Sequence, residues 1–189
     1  MNTTSTPRKP RVATIWLDGC SGCHMSFLDL DERLIAIAQA VDVVVSPVVD
    51  PKTFPDDVDL TIIEGAISNE EDLHKAKIAR ARSKLVISLG DCAITGNVPA
   101  MRNSFEVDEL FARAYEENAT WPAPAQRPAH RPRHGVPLLL KTSRPVHEHI
   151  PVDLYVQGCP PPADAIFFVL SELVAGRIPD PTQLTRFGR

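Results

Sequence analysis

Four cysteines constrain this chain more than any other feature, because each follows an apolar, strand-like run by only a few residues. Cys20 and Cys23, spaced Cys-x-x-Cys, come after Val12-Ala13-Thr14-Ile15-Trp16-Leu17. Cys92 comes after Leu85-Val86-Ile87-Ser88-Leu89-Gly90, and Cys159 after Val152-Asp153-Leu154-Tyr155-Val156-Gln157-Gly158. In an α/β sheet of parallel strands those ends share one edge, which is where such folds bind ligands. The pattern therefore predicts four thiols gathered at one place.

The remaining chain fits such a sheet. A strand over about residues 11–17 leads into the cysteine loop and a helix whose Ser26 and Asp29 have capping-box spacing, followed by Leu30, Leu34, Ile37 and Val41 at helical intervals. Val43-Val44-Val45 and Leu60-Thr61-Ile62-Ile63 read as the next strands, with Pro47, Pro51 and Pro55 in the loop between them. Ser68 and Glu71 predict a cap for a charged helix ending near Arg82. A fourth strand is predicted over 85–89, then an amphipathic helix carrying Leu110, Phe111, Ala114 and Tyr115. A fifth strand over 152–157 and a helix from Asp164 to Gly176 complete the set. This rhythm predicts an α/β fold with an open sheet. Residues 1–10 read as a disordered lead, 11–178 as one domain and 179–189 as a tail. Residues 121–137 form an insertion with five prolines, and 136–151 read as irregular chain. Arg127, His130, Arg131, Arg133 and His134 make the insertion basic; a solvated loop and a docking arm for a partner both fit it.

With 20 basic against 24 acidic side chains in 189 residues, nucleic acid is not the expected partner. No apolar run reaches the length of a membrane span, and the polar N-terminus carries neither an apolar signal core nor a twin-arginine pair. A cytoplasmic address follows as the expectation, and there cysteines serve metals or redox chemistry more than structural disulfides.

The cysteine set leaves three chemistries open. A structural zinc site of the ribbon kind uses two close pairs, whereas here one pair is followed by gaps of 68 and 66 residues to single cysteines. A redox dithiol needs no further cysteines. A 4Fe–4S cluster needs one cysteine per iron, which separate loops supply naturally. Predicted helix starts after Cys23 and Cys159 would turn free N–H groups toward such a cluster. Glycines 19, 22, 90 and 158 would let backbone approach the sulfurs. His24 and Glu64 stand at the same predicted edge, as a sulfur hydrogen-bond donor and a proton-path group or as capping and interface residues. His147, Glu148 and His149 read as a surface segment more than a metal triplet. No phosphate-binding glycine loop is present, and bound FMN has no support.

Together, Trp16-Leu17-Asp18-Gly19-Cys20-Ser21-Gly22-Cys23, Gly90-Asp91-Cys92-Ala93 and Gly158-Cys159-Pro160-Pro161 resemble the small subunit of nickel–iron hydrogenases, over roughly residues 11–176. The resemblance implies a flavodoxin-like open parallel sheet with helices on both faces, carrying one proximal 4Fe–4S cluster on Cys20, Cys23, Cys92 and Cys159. It also implies that the nickel–iron centre sits in a separate large subunit, so that this chain would be part of an oxidoreductase without being catalytic alone. Many members carry a longer cysteine-rich C-terminal region and a twin-arginine leader. The short, leaderless form here is similar to the small subunits of cytoplasmic NAD-reducing hydrogenases. In those, diaphorase subunits with flavin and iron–sulfur clusters carry electrons on to NAD. The related quinone-reductase subunit of respiratory complex I is the nearest alternative, but it has adjacent cysteines where this chain has Cys20-Ser21-Gly22-Cys23.

Overall fold

The computed structural model describes residues 8–117, 131–132 and 134–187. Five parallel strands form the main sheet: β1 (Arg11–Trp16), β2 (Asp42–Val45), β3 (Val58–Glu64), β5 (Ser83–Leu89) and β7 (Leu154–Val156). Their spatial order is β2-β1-β3-β5-β7, the flavodoxin-like arrangement. Alternation along each strand sends side chains to both faces, and both are covered. Leu60 and Ile62 of β3 pack with Ile37 of α2 (Arg33–Ala40) and Ile166, Val169 and Leu170 of α7 (Ala163–Val174). Ile63 and Val86 pack on the opposite face with Ala76 and Ala79 of α3 (Glu70–Arg82). The fold expected from the sequence is the fold observed.

Register then decides where the loops emerge. Trp16 pairs with Glu64, Glu64 with Leu89, and Leu89 with Val156, so four strands end level. Cysteines 20, 92 and 159 follow three of those aligned ends within four residues.

Several local expectations are corrected. The cap of α3 is Asn69, not Ser68: the Asn69 side chain accepts from the Asp72 N–H at 2.9 Å. Glu70, Glu71 and Asp72 at its start and Arg80 and Arg82 at its end match the helix dipole. Ser68 instead lies in a short strand, β4 (Ile67–Asn69), paired antiparallel with β6 (Leu139–Arg144) inside the stretch read as irregular. This small second sheet is held largely by polar side chains. Arg102 donates to the Ser68 and Leu140 carbonyls at 2.9 Å, and Asn103 both donates to and accepts from the Ser143 backbone. Short helices α4 (Asp91–Thr95), α5 (Asn97–Ala100) and α6 (Val107–Phe111) lie between β5 and β6. The predicted single helix after the cysteine pair is two: α1 (Gly22–Leu28) and α2, separated by a turn with Asp31 at φ 51°. Ser26 is therefore inside α1 and caps nothing.

Of the lead expected over residues 1–10, residues 1–7 lie outside the described residues, while Arg8 pairs with Asp57 and Asp59. In the basic insertion, residues 121–130 and 133 lie outside them too. Arg131 pairs with Asp108 and Glu116 and sits over the Phe111 ring at 5.7 Å. Past α7, Pro179, Pro181 and Thr185 are buried.

Candidate metal centre

The level strand ends are tied to one another by their loops. Leu17 N–H donates to the Glu64 carbonyl at 2.9 Å, and Asp18 and Ala66 exchange two backbone hydrogen bonds at 3.0 and 2.7 Å. Gly65 makes this approach possible: at φ +89° a Cβ there would stand 2.7 Å from the Leu17 carbonyl carbon. On the other side, Asp91 N–H donates to the Gly158 carbonyl at 2.9 Å. The buried Asp91 carboxylate accepts the Gly158 N–H in return at 2.7 Å. Ser26 then donates to the Pro161 carbonyl at 2.5 Å, fastening α1 to the same loop.

This framework brings the four cysteines together. Cys20, Cys23, Cys92 and Cys159 line one cavity of about 80 Å3 with Gly19, Gly22, Glu64, Asp91, Gly158 and Pro160. None is in a disulfide. Cys23 lies in the first turn of α1 and Cys92 in the first turn of α4, where backbone N–H groups are free of helical partners. Cys159 differs from expectation here, since Pro160, Pro161 and Pro162 separate it from α7.

The cavity has an inner and an outer side. Cys23 is buried, and a Cβ on Gly90, itself at φ +83°, would stand 2.2 Å from its sulfur. Cys20 and Cys159 are exposed. With Cys92, Asn97, Val98 and Pro99 they border a second recess of about 260 Å3 that opens outward.

Electrostatics follow the same division. Burial pushes the Cys23 thiol well above its ordinary range, and the Glu64 charge and the other three cysteines add to the effect. Cys92 is pushed up to about 11, first by burial and then by Cys159 and Cys20, against hydrogen bonds from the Asn97 side chain and the Val98 N–H. Cys23 and Cys92 therefore resist ionising unless positive charge joins them. A metal cluster supplies that charge, and coordinated thiols are deprotonated outright. The donor set thus fits an iron–sulfur cluster. Among the described residues, no three His, Cys, Asp or Glu side chains gather closely enough to hold a single metal ion.

His24 and Glu64, singled out in the sequence, are joined to each other. Glu64, only 2% exposed, accepts the His24 backbone N–H at 2.7 Å and bonds the His24 ring at Nδ1. His24 Nε2 lies 3.0 Å from the Thr14 hydroxyl, which donates to Ser46 at 2.7 Å. Trp16 stacks on the His24 ring, centroids 6.0 Å apart. His147, Glu148 and His149 form no comparable group: His147 packs edge-on against Tyr155, and Glu148 pairs with Arg144.

Three residues escaped sequence reasoning. Asp91 and Ser26 act through contacts 67 and 135 residues away in the chain. Asn97 carries an amide 3.5 Å from the Cys159 sulfur. Only the repeated Gly-x-Cys or Gly-Cys context hints at Asp91; Ser26 stands out in the sequence by capping-box spacing alone, and nothing local marks Asn97.

Comparison with known proteins adds family evidence. The family described as NADH ubiquinone oxidoreductase, 20 Kd subunit, matches residues 20–173. The delta subunit of the NAD-reducing hydrogenase HoxS from Cupriavidus necator is 41% identical, over 95% of this chain and 86% of its own length. A subunit of the F420-non-reducing hydrogenase from Methanothermobacter marburgensis is 36% identical over 89% of this chain, which spans only 54% of that longer protein. In the crystal structure of an NAD+-reducing NiFe hydrogenase in the H2-reduced state, a chain 39% identical superimposes with a TM-score of 0.89. The match covers 95% of this chain and 99% of that one. Among the described residues, no helix is long and apolar enough to cross a membrane.

Proposed function

From the premise that the chain belongs to the family of the NADH ubiquinone oxidoreductase 20 Kd subunit and is homologous to the small subunit of NAD-reducing nickel–iron hydrogenases, we propose that it is the electron-transfer small subunit of such an enzyme, with Cys20, Cys23, Cys92 and Cys159 as ligands of one 4Fe–4S cluster. The observation that carries this reading is the cavity itself: the only four cysteines of the chain line one space at the level ends of parallel strands. Bound there, the cluster supplies one-electron transfer between the nickel–iron site of a large subunit and diaphorase subunits that reduce NAD.

The chain's own residues do the rest. Each cysteine offers one thiolate from a separate backbone segment or turn, held by the Asp18–Ala66 and Asp91–Gly158 ties. Gly90 leaves room for the Cys23 sulfur, and Gly22 for that of Cys20, where a Cβ would come within 3.2 Å. Glu64 and His24 close the inner side against water. Cys20, Cys159 and the apolar rim residue Val98 remain exposed, which supports burial of this edge by the large subunit. Thiolates left open there would be open to oxidants.

The alternative of a single structural zinc is disfavoured, because the thiols line a cavity and do not converge on one point. Anaerobic purification of the complex with metal and sulfide analysis tests the reading. About four irons and four sulfides per copy of this chain are expected, with nickel in a partner chain. Zinc, or a two-iron cluster in native material, would overturn it.

A further inference from the structure

Resting on that cluster assignment, we propose that Asn97 is a positioning residue of the centre, its side-chain amide donating to the Cys159 sulfur and thereby raising the cluster's reduction potential.

The geometry is built for this contact. Gly96 and Asn97 both take left-handed backbone, at φ 83° and 35°, immediately after α4 ends. Asparagine tolerates that conformation better than other non-glycine residues. The Gly96 N–H donates back to the Cys92 carbonyl at 3.0 Å, and the Asn97 N–H to the Thr95 hydroxyl at 3.3 Å, so the turn is fixed relative to Cys92. It aims Asn97 Nδ2 at the Cys159 sulfur, 3.5 Å away and 62 residues distant in the chain. Cys23, by contrast, has the Glu64 charge among its neighbours. Asn97 also borders the outer recess, on the side where the cavity opens. A donor to a ligand sulfur favours the more negative, reduced state of a cluster, and hydrogen bonds to sulfur are among the determinants of its potential.

Asn97→Gly isolates the amide, because glycine keeps the left-handed backbone without strain. The variant is made in the whole complex and its cluster titrated by EPR at controlled potentials. The expected result is unchanged iron and sulfide, with the ratio of reduced to oxidised cluster at fixed potential falling at least threefold, a shift of about 28 mV to the negative at 59 mV per tenfold. Asn97→Asp replaces the donor with an acceptor of nearly the same shape and should shift further in the same direction. An unshifted midpoint in either loaded variant overturns the proposal. Loss of the cluster from both variants also overturns it, leaving Asn97 a purely structural residue. If the wild-type complex itself holds no 4Fe–4S cluster, the cluster assignment fails first, which separates the two results.

Discussion

The inner and outer sides of the cysteine cavity are made of opposite materials. Around Cys23 the walls are strand and helix: Glu64 at the end of β3, His24 in α1 and the Gly90 backbone, all buried. Around Cys20 and Cys159 the walls are loop and the single-turn helix α5, with Asn97, Val98 and Pro99 forming a recess open to the surface. The difference shows how one edge of a sheet can serve two tasks. A side set by core packing fixes where a charged group sits, while a side made of loops can meet another protein and admit adjustment by single hydrogen bonds. Substitutions on the inner side should therefore cost more than the same substitutions outside.

The largest expected contrast is between Cys23→Ser and Cys159→Ser. Serine at 23 puts a poor ligand in a buried place that no outside ligand can reach, and the complex should lose the cluster entirely. At 159 the exposed position can accept water or added thiol, so a partly assembled, EPR-visible cluster should survive. Iron and sulfide content of the two variants checks this, and equal losses would erase the distinction.

Next comes a pair of glycines. Gly90→Ala adds a Cβ 2.2 Å from the Cys23 sulfur on backbone at φ +83°. Backbone at φ 83° and ψ 161° is essentially reserved for glycine, so a side chain there costs about 1–3 kcal/mol, and the sulfur must also move. Gly22→Ala adds one 3.2 Å from the Cys20 sulfur, which lies on the open side and can yield. Cluster loading should fall severely in the first and slightly in the second.

Thiol reactivity separates the sides more finely. In cluster-free protein at about pH 8, the exposed Cys20 and Cys159 should be alkylated first. Cys92, pushed up to about 11, stays protonated in this range. Its alkylation should accelerate about tenfold per pH unit until that value is approached, because only the thiolate reacts. Cys23 should be slowest, since burial and Glu64 both oppose its ionisation. Mass spectrometry after timed labelling reads all four positions, and a Cys23 that labels with Cys20 would show the inner wall to be open.

What the sequence revealed follows the same line between core and loop. Apolar runs located the strands, and with them the edge at which the cysteines emerge, because burial on both faces writes itself into β1, β3 and β5 as predominantly apolar sequence, broken only by single or terminal polar residues. Short polar pieces left no such record. Leu139–Arg144 became a strand through Arg102 and Asn103, residues from another part of the chain. Ser68 and Asn69 are both good capping residues, and the Ser68 hydroxyl is engaged by Asp18 and Ser143, which leaves the cap to Asn69. Asn97 could not be recognised at all, since its significance depends on Cys159 arriving beside it.

The smallest effect tests whether the inner wall is a connected network or a set of separate contacts. Thr14→Val keeps side-chain shape but removes the hydroxyl between His24 Nε2 and Ser46. Ser46 retains the Val48 N–H at 3.3 Å, so His24 bears most of the loss. A buried polar group left without its partner costs about 1–3 kcal/mol. Amides of β1 and α1 should then exchange with deuterium about 5- to 140-fold faster, at a factor of ten per 1.4 kcal/mol. Amides of α4 and the Cys159 loop should not change, because Asp91 holds them from the other side. Faster exchange confined to Thr14 and Ser46 themselves would mean that Glu64 alone fixes His24. Faster exchange spreading into α4 would mean that the two sides of the cavity open as one unit.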